Sequence, residues 1–570
     1  MRAAVIANGA MSWNAAAVAL LIAAITVTMS LPHHFISVFD SGDYLRCAVQ
    51  LNAGIWNLKN DFYAARLAAF IPYAAGIALF GYGEWLTYIT LAELLLLLLL
   101  VYALLSPYSK PVAIIAVVIL STSQAVLRSS TVVMGDILVT LTSNTVILLY
   151  LFFFLKENKT LSSAGKMGVL AAITFIISFW TKESVIFYVP LMIYMGISDR
   201  KDIFLKEFWK YAFSGVFLMG IITLIVYAVK TGNPLFRIFF LEHQAATTDI
   251  DYDAASRYAI FLRCTVQPFQ FLMLDYTYGA LFLLSVLHVA QPVKSPVQGK
   301  LKAYFILTLA AWWLGSQSLF TWNPMALTHR LWLPLIVPLA INGASGACYF
   351  IQNQAYSKKE KLIYTLTVIS FLVAAYISLY VSKADYEKLG APATGLFLTT
   401  LAFTVTAAVL LGLIHVRWLS LKNHLARIAL VGAIVLPQLG WQMITLHRWI
   451  KNEQPGEYRD EKEMVEEVRK SEPSLVLADA GLSRNYGIYD GFQQPLPFAF
   501  YIDIPYDSLH EGTYLLINKT RLKDNAVNMV EALAFARSQN TIPEFVLHPQ
   551  RYDFRLVKEN STDRLFILQR

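Results

Sequence analysis

Long apolar runs alternate with short polar segments over roughly the first 450 residues of the chain. A helix needs about 20 apolar residues to cross the ~30 Å hydrocarbon layer of a bilayer. Runs that reach or approach this length predict membrane-spanning helices at 12–31, 84–105, 111–127, 134–155, 168–198, 211–229, 278–291, 303–320, 330–350, 361–381, 393–414 and 426–447.

One of these runs, 168–198, contains the polar interruption Thr181-Lys182-Glu183-Ser184. A straight helix over the whole run would be about 46 Å long, which exceeds the thickness of the hydrocarbon layer. The pattern therefore predicts two shorter helices that meet at this polar turn. The predicted fold is a polytopic α-helical membrane protein with about thirteen transmembrane helices.

An odd number of spans places the two termini on opposite sides of the membrane, and the basic residues indicate which side is which. Alternate loops are short and rich in Lys and Arg, which is typical of cytoplasmic loops. The basic residues of this set are Arg2, Lys110, Lys156, Lys159, Lys166, Arg200, Lys201, Lys206, Lys210, Lys294, Lys300, Lys302, Lys358, Lys359, Lys361, Arg417, Lys422 and Arg427. The N-terminus is thus predicted to be cytoplasmic. The long loops 32–83 and 230–277 and the chain after residue 447 are predicted to face outwards.

The composition of the chain changes near residue 450. Residues 451–473 are highly charged, and short β-like runs follow at 474–477, 513–517 and 564–568, with a helical stretch at 525–538. About 120 residues suffice for an independent domain. We predict a transmembrane domain over 1–450 and a small extracytoplasmic α/β domain over 451–570.

Composition excludes several classes of protein. The 570 residues are 57% hydrophobic and only 15% charged, whereas a soluble domain carries roughly 25% charged residues. A string of soluble domains is therefore excluded. The net charge of +8 includes no block of five or more Lys or Arg, which argues against a nucleic-acid partner. Three cysteines make neither a disulfide framework nor a cysteine-based zinc site.

The first outer loop contains the clearest candidate chemistry. Asp40 and Asp43 follow the first predicted span, at the edge of a low-dielectric region where a carboxylate can serve as a general base. A structural alternative has equal weight. Asp40 would be the N-cap, and Asp43 its capping-box partner, of a helix over 41–53 that ends at Gly54.

Further ionisable residues stand at predicted outer ends of spans. Charge near membrane depth is costly, so it tends to face a cavity or a partner, although each such residue alone is more often a helix-end side chain that reaches the headgroups. These residues are Arg128, Asp136, Lys182, Glu183, His329 and Arg330. Because all of them fall on the side of Asp40 and Asp43, a shared outer site is favoured.

The second long loop contains the turn Thr231-Gly-Asn-Pro234 and then Glu242-His243. These two side chains suit a divalent metal or an acceptor. Adjacent residues on a helix point in different directions, however, so the pair supplies only part of a metal site. The sequence leaves open whether a metal is required.

Together these motifs resemble a known family. The first-loop carboxylates, Asp136 after an Arg-containing turn, Trp180-Thr-Lys182, Phe239-Phe-Leu-Glu-His243 and Arg330-Leu-Trp-Leu-Pro334 are similar to those of the C-type (GT-C) glycosyltransferases. Within these, the chain looks similar to the group of protein mannosyltransferases and the lipid A aminoarabinose transferase. The resemblance implies an inverting hexosyl or pentosyl transferase of the bacterial inner membrane. Its donor would be a polyprenyl-phosphate sugar, such as an undecaprenyl-phosphate one, and its acceptor lipid A, an envelope glycan or a protein.

The resemblance also implies catalytic roles for three carboxylates. Asp40 matches the catalytic acidic residue of the family's first loop and would take the proton of the acceptor hydroxyl. Asp43 would be its acidic companion, although Ser41 and Gly42 separate two carboxylates that the family often has adjacent. Asp136 matches the acidic residue at the start of the fourth span.

The basic residues are implied to bind the donor phosphate. Lys182 matches a basic residue near that phosphate, and Glu242 and His243 match an acidic-His pair. In the aminoarabinose transferase the first loop has Glu-Lys-Pro, where this chain has Tyr63-Ala-Ala-Arg66. Arg66 would therefore replace that lysine, with Arg128 and Arg330 as further contacts.

Two other functions fit the same features. A transporter or flippase of lipid-linked sugars would use the same charges, but transporters tend to have matched broken helices in two repeats, and only one break, at 181–184, is evident here. An oligosaccharyltransferase would call for a larger soluble domain. Both rank below the sugar transferase.

Overall fold

The computed structural model describes residues 40–59, 61, 63–239, 278–316, 330–352, 455–479, 496–519 and 542–569, together with short stretches elsewhere. These residues are mostly helical. The helices in chain order are α1 (Ser41–Asn52), α2 (Leu67–Phe80), α3 (Thr87–Leu105), α4 (Lys110–Thr122), α5 (Gln124–Ser130), α6 (Asp136–Leu155), α7 (Leu161–Thr181), α8 (Val189–Ser198), α9 (Ile203–Thr231), α10 (Gly279–Ala290), α11 (Pro296–Leu314), α12 (Leu333–Gln352), α13 (Pro455–Lys470) and α14 (Glu544–Leu547).

Five of the described helices are long and apolar enough to cross a membrane. They are Glu84–Leu105, which includes α3, and α6, α7, α9 and α12. The predicted spans at 84–105, 134–155, 211–229 and 330–350 coincide with four of them. The predicted spans 12–31, 361–381, 393–414 and 426–447 lie wholly or mostly outside the described residues, so the total of thirteen stays a prediction.

Two predicted spans are bent or broken. The run 111–127 forms α4 and α5, which meet at an angle of 63°. The run 168–198 divides as predicted: α7 ends at Thr181, a 3-10 turn covers Glu183–Tyr188, and α8 follows. At the break Lys182 has an extended backbone, with φ −159° and ψ 137°.

The chain forms two compact units, of which the first comprises residues 1–29, 92–129 and 136–446. Its central helix is α6, in which nearly every side chain is buried. Pro338 lies inside α12 and, lacking an N–H, leaves the carbonyl of Pro334 available. Tyr188 Oη and Asn144 Nδ2 donate to that carbonyl over 3.0 and 3.2 Å. These two hydrogen bonds therefore satisfy the carbonyl that Pro338 leaves without a helical donor.

The second unit comprises residues 30–91, 130–135 and 447–570. In it α1 ends before Gly54, whose φ of +75° suits a glycine. The predicted helix 41–53 is thus confirmed. The predicted outer loop 32–83 also contains α2, an apolar helix of 14 residues that the sequence did not predict and that is too short to span a bilayer. The Tyr82 hydroxyl donates to the carbonyl of Ile488 over 2.9 Å, which links this segment to the C-terminal residues.

The C-terminal residues of this unit form a five-stranded sheet in the order β2-β1-β3-β5-β4. Its strands are β1 (Val476–Ala478), β2 (Phe498–Phe500), β3 (Tyr514–Asn518), β4 (Phe554–Glu559) and β5 (Asp563–Leu568). The strand β1 is parallel to β2 and β3, whereas β5 is antiparallel to β3 and β4. The runs 474–477, 513–517 and 564–568 correspond to β1, β3 and β5. Sequence reasoning missed β2 and β4, and the predicted helix 525–538 lies outside the described residues.

Candidate functional site

The first group of charged side chains lies at the N-terminus of α6 and is here named the helix-end cluster: Asp136, Lys182 and Arg330. Asp136 is the first residue of α6, where the helix dipole favours a negative charge, and it is 4% exposed. Lys182 Nζ donates to Asp136 Oδ1 over 2.5 Å, and Arg330 Nε lies 3.4 Å from Asp136 Oδ2. Two cations far apart in sequence thus meet at the carboxylate of Asp136.

The break between α7 and α8 positions Lys182. Its own N–H closes the last turn of α7 by donating to Ser178 O over 2.9 Å, and the lysine stands at a helix C-terminus, where a cation is favoured. Its side chain is only 12% exposed. Arg330 lies in the turn just before α12. Within the cluster two cations contact one carboxylate.

Arg128 belongs to the same compact unit as the helix-end cluster. It occupies the last turn of α5 and is half-buried. The sequence predicted it as a donor-phosphate contact together with Lys182 and Arg330.

The second group lies in the first outer segment and is here named the loop cluster: Asp40, Tyr44, Tyr63 and Arg66. Asp40 occupies the N-cap position of α1, but its side chain makes no capping hydrogen bond. The capping prediction for that side chain was therefore wrong. Its Oδ1 instead accepts a 2.7 Å hydrogen bond from the Tyr63 hydroxyl, because the chain returns to α1 through a 3-10 turn at Tyr63–Ala65.

Aromatic rings hold the loop cluster together. Tyr44 and Tyr63 pack edge to face with ring centroids 5.2 Å apart. The Arg66 guanidinium lies 5.7 Å from the Tyr63 ring centre, and its Nη1 donates to the Tyr44 hydroxyl over 3.2 Å. Burial, followed by the charge of Asp40, raises the pKa of Tyr63. Tyr63 is therefore a protonated donor at neutral pH.

Asp43 belongs to a third arrangement, here named the Arg46 triad: Asp43, Arg46 and Asp61. Arg46 Nη2 lies 2.8 Å from Asp43 Oδ1 and 2.8 Å from Asp61 Oδ2. Burial lowers the pKa of Arg46, but the charges of Asp61 and Asp43 outweigh it, and the net shift is upward. Burial, and then Asp61, raise the pKa of the neighbouring Cys47 thiol.

The structure thus brings the predicted residues together in subsets. Asp40 and Arg66 share the loop cluster, Asp136, Lys182 and Arg330 share the helix-end cluster, and Asp43 pairs with Arg46. Sequence reasoning assigned no role to Tyr44, Arg46, Asp61 or Tyr63. Tyr44 and Arg46 stand one and three positions after Asp43, and Asp61 and Tyr63 stand five and three positions before Arg66. This proximity to predicted site residues is the signal that pointed to them.

Glu242, His243 and His329 lie outside the described residues. Among the residues that the structure does describe, no group of three or more His, Cys, Asp or Glu could hold a metal ion. The role of Glu242 and His243 toward a metal or an acceptor stays a prediction.

Comparison with solved structures shows which known fold this chain has. No protein-family model and no curated protein matches the chain. ArnT from Cupriavidus metallidurans bound to undecaprenyl phosphate is similar to it with a TM-score of 0.57, 15% identity and 98% of both chains covered. The apo state of ArnT gives 0.54, again with 15% identity and 98% of both chains. The Archaeoglobus fulgidus oligosaccharyltransferase in complex with Zn and sulfate gives 0.45, with 13% identity over 90% of this chain and 69% of that one. The predicted resemblance is confirmed at the level of the fold: the chain has the fold of the GT-C glycosyltransferases.

Proposed function

We propose that the protein transfers a hexosyl or pentosyl group from a polyprenyl-phosphate donor to an acceptor on the outer face of a bacterial inner membrane. The carrying observation is the helix-end cluster, in which two cations share the carboxylate of Asp136. The fold of ArnT, which in one of its structures is bound to undecaprenyl phosphate, supports the choice of donor.

The chemistry of the reaction matches these charges. Breaking the bond between the sugar and the lipid phosphate develops negative charge on the phosphate and positive charge on the anomeric carbon. Lys182 offers a compact ammonium, and Arg330 a guanidinium that can make two parallel hydrogen bonds. We propose that both bind the donor phosphate and stabilise it as it leaves. Arg66 and Arg128 are proposed as additional phosphate contacts.

Asp136 is proposed to act through the cations that it holds. A buried carboxylate with two cationic partners has its negative charge largely compensated. It can fix the directions of Lys182 and Arg330 before the donor arrives, which is the preorganisation on which electrostatic catalysis depends.

Asp40 is proposed as the general base. Its Oδ1 accepts a hydrogen bond from the phenol of Tyr63, which orients the carboxylate. It would take the proton of an acceptor hydroxyl as that oxygen attacks the anomeric carbon from the face opposite the phosphate, and the configuration of the sugar would invert. With a phosphate as nucleophile no proton transfer is needed, and Asp40 would then orient the acceptor. Asp43 is proposed to support this segment through Arg46.

The acceptor is proposed to be lipid A, an envelope glycan or a protein. Glu242 and His243, in the second outer loop, are proposed to contact the acceptor or a divalent metal. The N-terminus is proposed to be cytoplasmic and the C-terminal residues periplasmic, because the basic loops follow the positive-inside rule.

A direct assay tests the proposal. Purified protein in lipid nanodiscs is supplied with undecaprenyl-phosphate sugars and a lipid A acceptor, and release of undecaprenyl phosphate is followed with sugar transfer. Transfer with inversion is expected for at least one sugar. Movement of the donor across vesicle membranes without cleavage would identify a flippase and contradict the proposal.

The assay has a matched pair of variants. Asp40→Asn is expected to lower kcat by about 10²- to 10⁴-fold, the usual contribution of a general base, with donor affinity retained. Asp507→Asn, in a 3-10 turn of the C-terminal sheet region, controls for loss of an unrelated acid. Near-normal turnover in Asp40→Asn would contradict the role of this residue as the base.

A further inference from the structure

The helix break that carries Lys182 contains a second ion pair. Lys182 and Glu183 are adjacent in sequence, yet each pairs with a different element of the first unit. Glu183 Oε1 accepts a 2.8 Å hydrogen bond from Arg237 Nε and lies 2.7 Å from Arg237 Nη2. Arg237 follows α9, at the start of the second long loop.

Arg237 is itself fixed from several directions. It is 3% exposed, and its Nη1 donates to the Tyr227 hydroxyl over 3.3 Å. Its guanidinium lies 4.6 Å from the centre of the Phe179 ring. A buried guanidinium that contacts a carboxylate, a phenol and an aromatic face has little freedom to move. The pair therefore forms a rigid support beside the break.

The backbone at the break couples this support to Lys182. Lys182 is extended, and the 3-10 turn begins at the next residue, Glu183. The two side chains pair with different partners, Asp136 and Arg237. Because the two residues are consecutive, the contact that holds Glu183 also restrains the backbone that carries Lys182.

We infer that Arg237 and Glu183 are positioning residues that aim the Lys182 ammonium at the donor phosphate. This inference rests on the proposed function, since it assigns a use to the direction of Lys182. It also gives a specific role to Glu183, which the sequence pattern assigned only to a shared outer site, and to Arg237, which the pattern did not single out.

The first experiment measures binding of undecaprenyl phosphate in nanodiscs. Arg237→Gln is expected to weaken this binding about tenfold, the effect of losing one charged hydrogen bond, with kcat at saturating donor changed far less. In a Lys182→Gln background, Arg237→Gln is expected to cause no further loss. An equal loss in both backgrounds, or no loss in either, would overturn the inference.

The second experiment measures Lys182 directly and does not depend on the donor. The rate at which an amine-acylating reagent modifies Lys182 is followed by mass spectrometry. Arg237→Gln is expected to raise this rate about tenfold, because the backbone at the break loses a restraint and holds Lys182 less firmly against Asp136. An unchanged rate would overturn the inference, whereas failure of wild-type protein to bind undecaprenyl phosphate would count against the proposed function alone.

Two further variants keep both experiments decisive. Lys210→Gln removes an exposed ion pair with Glu207 on α9 and is expected to change neither readout. Should Arg237→Gln fail to accumulate, Glu183→Gln removes the charge while retaining the shape of the side chain and an acceptor oxygen. Glu183→Gln is expected to weaken undecaprenyl phosphate binding and to raise the modification rate of Lys182, both by less than Arg237→Gln does. If neither quantity changed, the inference would be overturned.

Discussion

The helix-end cluster and the loop cluster differ in the described groups that contact their carboxylates. In the helix-end cluster, which belongs to the first unit, a buried carboxylate holds two cations directly, and the ligands come from the ends of long helices. In the loop cluster, which belongs to the second unit, a phenol donates a hydrogen bond to Asp40, and the guanidinium of Arg66 contacts an aromatic ring and a hydroxyl.

This difference separates two chemical tasks. A group that binds phosphate benefits from cations held on a rigid frame. A general base must accept a proton, and a hydroxyl donor such as Tyr63 orients the carboxylate for that task. In the same segment, the Arg46 triad pairs two carboxylates with one guanidinium. We therefore expect mutations in the three groups to affect three different properties: stability, donor affinity and turnover.

The largest expected effect is on stability and concerns the Arg46 triad. Arg46→Met leaves the buried carboxylates of Asp43 and Asp61 without this partner and is expected to lower the free energy of unfolding by about 3 kcal/mol. Thermal unfolding in detergent measures the loss. Adding Asp43→Asn and Asp61→Asn to Arg46→Met is expected to restore most of the stability, and an equally unstable triple variant would contradict a charge-based role.

The next effect is on donor affinity and concerns the helix-end cluster. Lys182→Gln is expected to weaken binding of undecaprenyl phosphate by about 10- to 100-fold, because it removes one charged contact. Titration calorimetry or fluorescence in nanodiscs measures the affinity. Lys210→Gln serves as the matched control. Unchanged affinity would remove Lys182 from the phosphate site and would leave its contact with Asp136 purely structural.

A smaller effect is expected on turnover and concerns the loop cluster. Tyr63→Phe removes the hydroxyl that donates to Asp40 and is expected to lower kcat about tenfold, with donor affinity unchanged. Tyr82→Phe removes another tyrosine hydroxyl bond of the same unit, to the carbonyl of Ile488, and is expected to leave kcat unchanged. If Tyr63→Phe lowered donor affinity and left kcat unchanged, the loop cluster would act in donor binding, and the proposed difference between the two clusters would be contradicted.

The smallest effect concerns the reactivity of Cys47. Burial raises the pKa of its thiol, and alkylation requires the thiolate. Between pH 7 and 9 Cys47 in folded protein stays a thiol, since the raised pKa moves ionisation to higher pH. Maleimide labelling followed by mass spectrometry is therefore expected to remain slow over this range and to become fast only after denaturation. A rate that rises with pH as in the unfolded chain would contradict the buried position.

The membrane-spanning pattern and the break at 181–184 could be read from the sequence because both depend on local composition. A run of about 20 apolar residues has few alternatives to a spanning helix, and Lys182-Glu183 interrupts such a run visibly. The helix over 41–53 followed from its Gly54 terminus. The strands β2 and β4 were missed because neither has a clearly buried face. All three residues of β2 are half-buried, and only the first residue of β4 is buried, so their structure depends on the pairing partner.

The sequence by itself determined which ionisable residues stand at helix ends, because a charge inside an apolar run is conspicuous and needs no partner to be noticed. Only the tertiary structure decided how those residues pair. Asp40 accepts a hydrogen bond from Tyr63 instead of capping α1, and Asp43 pairs with Arg46. Lys182 and Arg330 both contact Asp136. Pairing energies depend on distances of a few ångströms between residues tens to hundreds of positions apart, and a linear pattern holds no record of those distances.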